Sequence, residues 1–175
     1  PHWEIGPEHY GKGIVTNSEM RFRGDHSPNM LIVLDEGPGV PEWVLNEARN
    51  MCTAPNNKIV VIGNPTIPQG WYYESFLPKS TWKQVTLSCL DHPNVTTGRM
   101  VIPGAVSREW VERYIREECL PLELGNDEIQ QFDFEFPKGS NCWYRPSDIF
   151  LCRVMGEFPS EGPDGLFPLW CLENG

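Results

Sequence analysis

Two short apolar runs stand out in a chain otherwise divided into small polar, Gly-rich and Pro-rich pieces. Met30-Leu-Ile-Val-Leu34 has no apolar/polar alternation, the pattern of a strand buried on both faces, as in the middle of a parallel sheet. It ends abruptly in Asp35-Glu36-Gly37-Pro38-Gly39. Pro41 stands where a helix takes its first residue and has no use for an N–H. Trp43, Val44, Ala48 and Met51 then give the apolar stripe of a helix that runs through about Met51. After the turn Pro55-Asn56-Asn57 comes a second run, Lys58-Ile-Val-Val-Ile62, ending in Gly63-Asn64-Pro65-Thr66. Strand, helix, strand predicts two adjacent parallel strands joined by a right-handed crossover.

Elsewhere the pattern is weaker. Residues 1–13 are polar and Gly-rich without a period, and short strands are expected near Gly13–Thr16 and Met20–Phe22. A short helix is expected over Trp71–Phe76, a third strand over Trp82–Leu87, and a loop over Ser88–Pro103 that contains Asp91-His-Pro-Asn94. Ser107 suits the N-cap of a helix Arg108–Cys119, and Ser147 that of a helix through about Met155. Residues 121–145 have no clear period and read as an insertion or loop; the last twenty residues read as a linker. The fold class this predicts is α/β: a parallel sheet flanked by helices, with a loop-rich C-terminal part.

Composition narrows the function classes. The 175 residues are 39% hydrophobic and 22% charged, as in a globular chain rather than a disordered one. A net charge of −10 argues against a domain built as a nucleic-acid groove and against an anionic membrane surface. The 16 Gly and 17 Pro predict many turns. Six scattered Cys with no C-x-x-C pair read as reduced thiols rather than a disulfide scaffold. No apolar run approaches the roughly 18–20 residues of a membrane span. The chain begins without Met, and its opening reads as a piece of something longer.

The candidate chemistry lies at the ends of the two apolar runs. In open α/β sheets ligands bind at the carboxyl ends of the strands. A carboxylate pair there suits a nucleoside triphosphate arriving with Mg²⁺, a hard cation that prefers oxygen ligands. Asp35 can hold the metal's water shell, and Glu36 can orient and polarise an attacking water. In a parallel sheet Asn64 falls at the same edge as Glu36, where its amide can bond both the water and a terminal phosphate oxygen. A strand ending in acidic turn residues, and an Asx-type turn before Pro65, are the plainer readings of the same residues. His92 is a weak metal candidate without a second His at ligand spacing, and a loop-shaping role suits it better. Trp71-Tyr72-Tyr73 suits packing on the sheet better than stacking on bases. The mixed Arg and Glu of 108–118 read as a solvated, salt-bridged helix face.

Six blocks in order, Met20-Arg-Phe-Arg-Gly24, Leu31-Ile-Val-Leu-Asp-Glu36, Val61-Ile-Gly-Asn-Pro-Thr66, Asp91-His-Pro-Asn-Val95, Ile102-Pro-Gly-Ala-Val-Ser107 and Arg153-Val-Met-Gly-Glu-Phe-Pro159, resemble the large terminase subunit of tailed bacteriophages and prophages. The resemblance spans roughly positions 14 to 170. It implies a P-loop ATPase of the additional-strand type that pumps viral DNA, followed by a metal-dependent nuclease domain. It implies ATP and Mg²⁺ as cofactors, with Asp35 and Glu36 as the Walker B pair, Asn64 in the coupling motif, and an arginine of this region, Arg21 or Arg23, acting in trans on a neighbouring subunit. The fixed charge beside Gly24 makes Arg23 the choice, and an exposed or structural arginine is the plainer reading of either. The implied partners are double-stranded DNA, the portal protein, the small terminase subunit and neighbouring copies in a ring, in the cytoplasm of the bacterial host. The pattern G-x-x-x-x-G-K-[ST] is absent, and Gly11-Lys12-Gly13 does not supply it. On this resemblance residues 1–120 are the C-terminal half of the ATPase domain, 121–145 an insertion or loop, and 146–175 a terminal helix and linker toward a nuclease domain. Such a chain is not expected to hydrolyse ATP alone. Another DNA helicase or translocase would share the Asp35-Glu36 and Asn64 logic, and a non-catalytic prophage-derived interaction module would share only the α/β core.

Overall fold

Both apolar runs become strands, and they pair parallel. A computed structural model describes residues 2–7, 9–15 and 26–159, and the chain divides into two units at Gly63 and Asn64.

In the first unit, β1 (His2–Gly6) and β2 (His9–Lys12) form an antiparallel hairpin. β3 (Leu31–Leu34) is followed by a 3-10 turn over Gly37–Gly39, helix α1 (Glu42–Met51) and β4 (Lys58–Val61). β3 and β4 lie in register, Leu31 beside Lys58 and Leu34 beside Val61. The ladder runs one bond past each end: Lys58 N–H donates to Met30 O at 2.9 Å and Ile62 N–H to Leu34 O at 2.9 Å. At the amino ends, Asn56 Nδ2 donates to Asn29 Oδ1 at 2.9 Å and joins the two turns that lead into the strands. Pro41 is the N-cap of α1 rather than its first residue. Leu34, Leu45, Ala48 and Met51 are buried, and Leu45, which the expected stripe left out, is more deeply buried than Trp43 or Val44.

The expectation of burial on both faces is corrected. Successive strand residues point to opposite faces, so Leu31 and Val33 share a face with their register partners Lys58 and Val60 and with Ile62. Leu31 is 60% exposed, Val33 51%, Val60 44% and Ile62 54%. A single crossover helix can cover one face of a two-stranded sheet; the other requires a second layer.

The second unit is α+β. It contains α2 (Gly70–Glu74), a 3-10 turn over Cys89–Asp91, α3 (Pro93–Thr97) and α4 (Arg108–Glu118). Strands β5 (Cys119–Leu122), β6 (Phe134–Glu135) and β7 (Trp143–Pro146) form an antiparallel sheet in the order β5-β7-β6. The short α5 (Asp148–Phe150) continues as a π-helical turn over Leu151–Met155. The core is Val95, Val111, Ile115, Phe134, Phe150 and Val154, with the rings of Phe134 and Phe150 stacked at 5.1 Å. Both expected caps form: Ser107 Oγ accepts from Trp110 N–H, and Ser147 Oγ accepts from Phe150 N–H, each at 3.2 Å.

Three expectations change here. Trp82–Leu87 forms no strand among the described residues, and Val85 and Leu87 are exposed. Within 121–145 most of a three-stranded sheet is found, held by contacts distant in sequence. Arg145 grips Asp133 through both carboxylate oxygens, at 3.0 and 2.8 Å. The segment 88–103 is not all loop. His92 Nδ1 accepts from Asn94 N–H at 3.2 Å and caps α3, the loop-shaping role. Asn94, which is buried, closes the 98–106 segment: its amide donates to Ile102 O at 2.9 Å and Val106 O at 3.0 Å, and accepts from Ile102 N–H at 2.8 Å.

The fold is therefore mixed α/β with small sheets, one of them a parallel pair. Among the described residues no helix is long and apolar enough to cross a membrane. The expected strand at Met20–Phe22 and nearly all of the expected C-terminal linker lie outside the described residues, and Gly13–Val15 carry no regular structure.

Candidate functional site

Asp35 and Glu36 follow the last residue of β3 directly, at the carboxyl end of the parallel pair, and both are exposed. The turn they form is tightly specified. Asp35 Oδ1 accepts from Glu36 N–H at 3.0 Å. Glu36 has φ 56° and ψ 49°, the left-handed region, which is uncommon for a residue with a side chain. Its carbonyl accepts from Gly39 N–H at 2.8 Å and starts the 3-10 turn. Gly37 N–H donates to Ile62 O at 2.8 Å, so the turn is held against the end of β4. Gly63 packs closely there: a Cβ on it would stand 2.6 Å from Pro38 Cδ and 2.8 Å from Gly37 N. Sequence reasoning passed over Gly63; its signal was a glycine following a buried-type strand at the ligand edge.

A cavity of about 850 Å³ is lined by Lys12 and Val15, by β3 and by Asp35 and Glu36. A cation and two carboxylates thus line one space. Gly11 and Lys12 are strand residues paired with Trp3 and His2, which rules them out as a phosphate-cradling loop. Asn64 follows Gly63 as the first residue of the second unit; it is exposed, and its carbonyl accepts from Thr66 N–H at 2.8 Å. Arg21 and Arg23 lie outside the described residues.

For a metal, the donor set is partial. Among the described residues no three His, Cys, Asp or Glu groups come together in a way that could hold an ion. Asp35 has one oxygen engaged by Glu36 N–H and a second one free of that bond. This fits Mg²⁺, which takes one or two protein carboxylates and leaves its remaining positions to water and phosphate. It does not fit a metal held by protein alone.

The second unit has its own cleft of about 900 Å³, floored by Leu90, Val95, Phe134 and Met155. The cations at its rim are engaged: Arg108 with Glu112 at 3.0 Å, and Lys138 with Asp91 at 3.4 Å. Tyr72 and Tyr73 pack against Phe158, at 6.0 and 5.0 Å between ring centres, so this aromatic run serves packing. Pairs at i,i+4 along α4, Arg108 with Glu112 and Arg113 with Glu117, form the salt-bridged face expected. Cys52, Cys89, Cys119, Cys142 and Cys152 are free thiols. Burial pushes the Cys119 thiol up to about 12, far from a nucleophilic thiolate at neutral pH.

Fold and site together define an α/β protein whose parallel β-α-β unit presents a pinned carboxylate pair at its carboxyl edge. Within that class the chain is similar to a terminase large subunit. It is 29% identical over 161 residues, 86% of its own length, to the "Probable terminase, large subunit" of Enterobacteria phage P7. The chain spans about a quarter (27%) of that relative's length. The family resemblance carried by the sequence blocks is thereby borne out. No family model matches the chain, and no solved structure matches it.

Proposed function

We propose that this chain supplies the Walker B part of an ATP-hydrolysing motor in a viral DNA-packaging terminase large subunit. One observation carries the reading: a carboxylate pair, pinned at the carboxyl edge of a parallel β-α-β unit, in a chain similar to a terminase large subunit. The unit is read as part of a P-loop sheet of the additional-strand type, with 1–120 in the ATPase domain, 121–145 an insertion and 146–175 leading toward a nuclease domain. Bound ATP with Mg²⁺ supplies the transferable phosphoryl group and the neutralisation of its charge. Glu36 orients and polarises the attacking water, Asp35 holds the metal's water shell, and Asn64 bonds the water and a terminal phosphate oxygen. Arg23 serves a neighbouring subunit's nucleotide. DNA, the portal protein, the small terminase subunit and further copies in a ring are the partners, in the cytoplasm of the bacterial host.

The phosphate cradle is not among these 175 residues, so turnover is assigned to a longer polypeptide. The test is DNA-stimulated ATP hydrolysis by a polypeptide extended upstream through a Gly-rich loop. Glu36→Gln is expected to lower kcat by at least ~100-fold, and Asn64→Ala to lower it as well. Arg23→Ala subunits mixed with Glu36→Gln subunits are expected to recover part of the activity. Unchanged turnover in Glu36→Gln would exclude the motor reading for this site. The missing cradle favours one other reading, a non-catalytic interaction module, and an intact upstream frame without a Lys-Ser or Lys-Thr loop would exclude the active motor.

A further inference from the structure

We infer that Gly63 is a positioning residue for Glu36, acting through a backbone latch centred on Ile62. The observation is geometric and lies within the first unit. Ile62 N–H donates to Leu34 O at 2.9 Å, and Ile62 O accepts from Gly37 N–H at 2.8 Å. Leu34 and Gly37 are the residues on either side of Asp35-Glu36. The carboxylate pair is therefore a two-residue excursion whose two ends are both fastened to one residue of the neighbouring strand. Within that excursion Glu36 is held at φ 56°, a conformation that costs energy and persists only where its surroundings impose it.

Gly63 makes the latch possible. For Ile62 O to reach Gly37 N–H, the chain must pass directly beneath Gly37 and Pro38. Any side chain at position 63 would begin 2.8 Å from the Gly37 nitrogen, a backbone atom that cannot move away without breaking the bond. A Cβ at 63 thus forces the latch open, and Glu36 loses the constraint that holds it left-handed. The space for the Glu36 side chain remains; its aim is lost. The catalytic consequence rests on the proposed role of Glu36, whereas the latch itself does not.

The experiment has two arms. In the first, backbone resonances of the 175-residue chain are read by NMR. Gly37 N–H is expected to be protected from solvent exchange, and Glu36 to carry the carbon shifts and amide–Hα coupling of a positive φ. In Gly63→Ala, Gly37 is expected to exchange at least ~10-fold faster and Glu36 to leave the left-handed range, with the amides of Leu45 and Ala48 in α1 unchanged. Should Gly63→Ala fail to fold, the unsubstituted chain still decides: a Gly37 amide exchanging at its intrinsic rate overturns the latch. The second arm uses the extended polypeptide. Gly63→Ala is expected to lower kcat at least ~10-fold with KM for ATP unchanged, and the double variant with Glu36→Gln to be no slower than Glu36→Gln alone. Additive losses would mean that Gly63 acts elsewhere and overturn its positioning role. A Glu36→Gln variant with full turnover would remove the motor reading, while the NMR arm would still stand or fall on its own.

Discussion

At Glu36 a long, charged side chain occupies backbone that glycine or asparagine would take more readily. A branched residue suits it least: Glu36→Val is expected to cost about 1–2 kcal/mol of unfolding free energy. Glu36→Asn is expected to stay within ~0.5 kcal/mol of the parent. Urea midpoints check both, and a Val variant as stable as the parent would mean that the turn is not held left-handed in solution. Asn94 is a second residue on which much depends, because its one amide satisfies three backbone groups. Asn94→Ala is expected to cost at least ~2 kcal/mol, since those groups lose their partner together. Asp133 provides the pH test. Arg145 beside it holds its carboxyl below the usual range. The stabilisation this brings is present above the unfolded value of about 3.9 and is lost as pH falls through the lower folded one. Asp133→Asn should therefore be less stable at neutral pH and show a flatter loss of stability toward pH ~3.

Among the elements, those legible in the sequence are the ones whose cause is local. β3 and β4 follow from unbroken apolar runs, α1 and α4 from apolar stripes, and α4 and α5 from serines at their N-caps. Removing a cap hydroxyl should be felt at about 1 kcal/mol for Ser107→Ala. Ser147→Ala is expected to cost more, because Ser147 Oγ also donates to Glu118 Oε2 at 2.9 Å and joins α5 to the end of α4. Equal losses in thermal melts would mean that this link contributes nothing. The hairpin β1-β2 and the sheet β5-β7-β6 were not legible. β5 contains a proline and follows α4 without a gap, and β6 is two residues long. They exist because β7 and the Asp133–Arg145 grip arrive from elsewhere in the chain, which no local pattern records. Trp82–Leu87 is the converse case: it alternates weakly, but among the described residues it joins no sheet. At the candidate site the carboxylates were legible because a strand end of that composition has a chemical meaning. The geometry that constrains them was not, because Gly63 matters through the absence of an atom.

For the whole molecule, the decisive feature is the sheet face that carries Leu31, Val33, Val60 and Ile62. Because Val33 is half exposed, Val33→Thr should leave the stability of the isolated chain within ~1 kcal/mol of the parent. It should also reduce binding of a dye that reports apolar surface. A loss of several kcal/mol would mean that the face is buried in solution. A net charge of −10 keeps copies apart at low salt, so added salt should favour self-association of the parent more than of the Thr variant. The exposed face also makes the chain's stability a matter of mass action. Any surface that covers those four residues binds the folded chain and not the unfolded one, and so raises its apparent melting temperature in proportion to the logarithm of its concentration. If copies of the chain cover one another, that temperature rises with the protein's own concentration. A melting point measured at a single dilution would then describe the solution as much as the molecule.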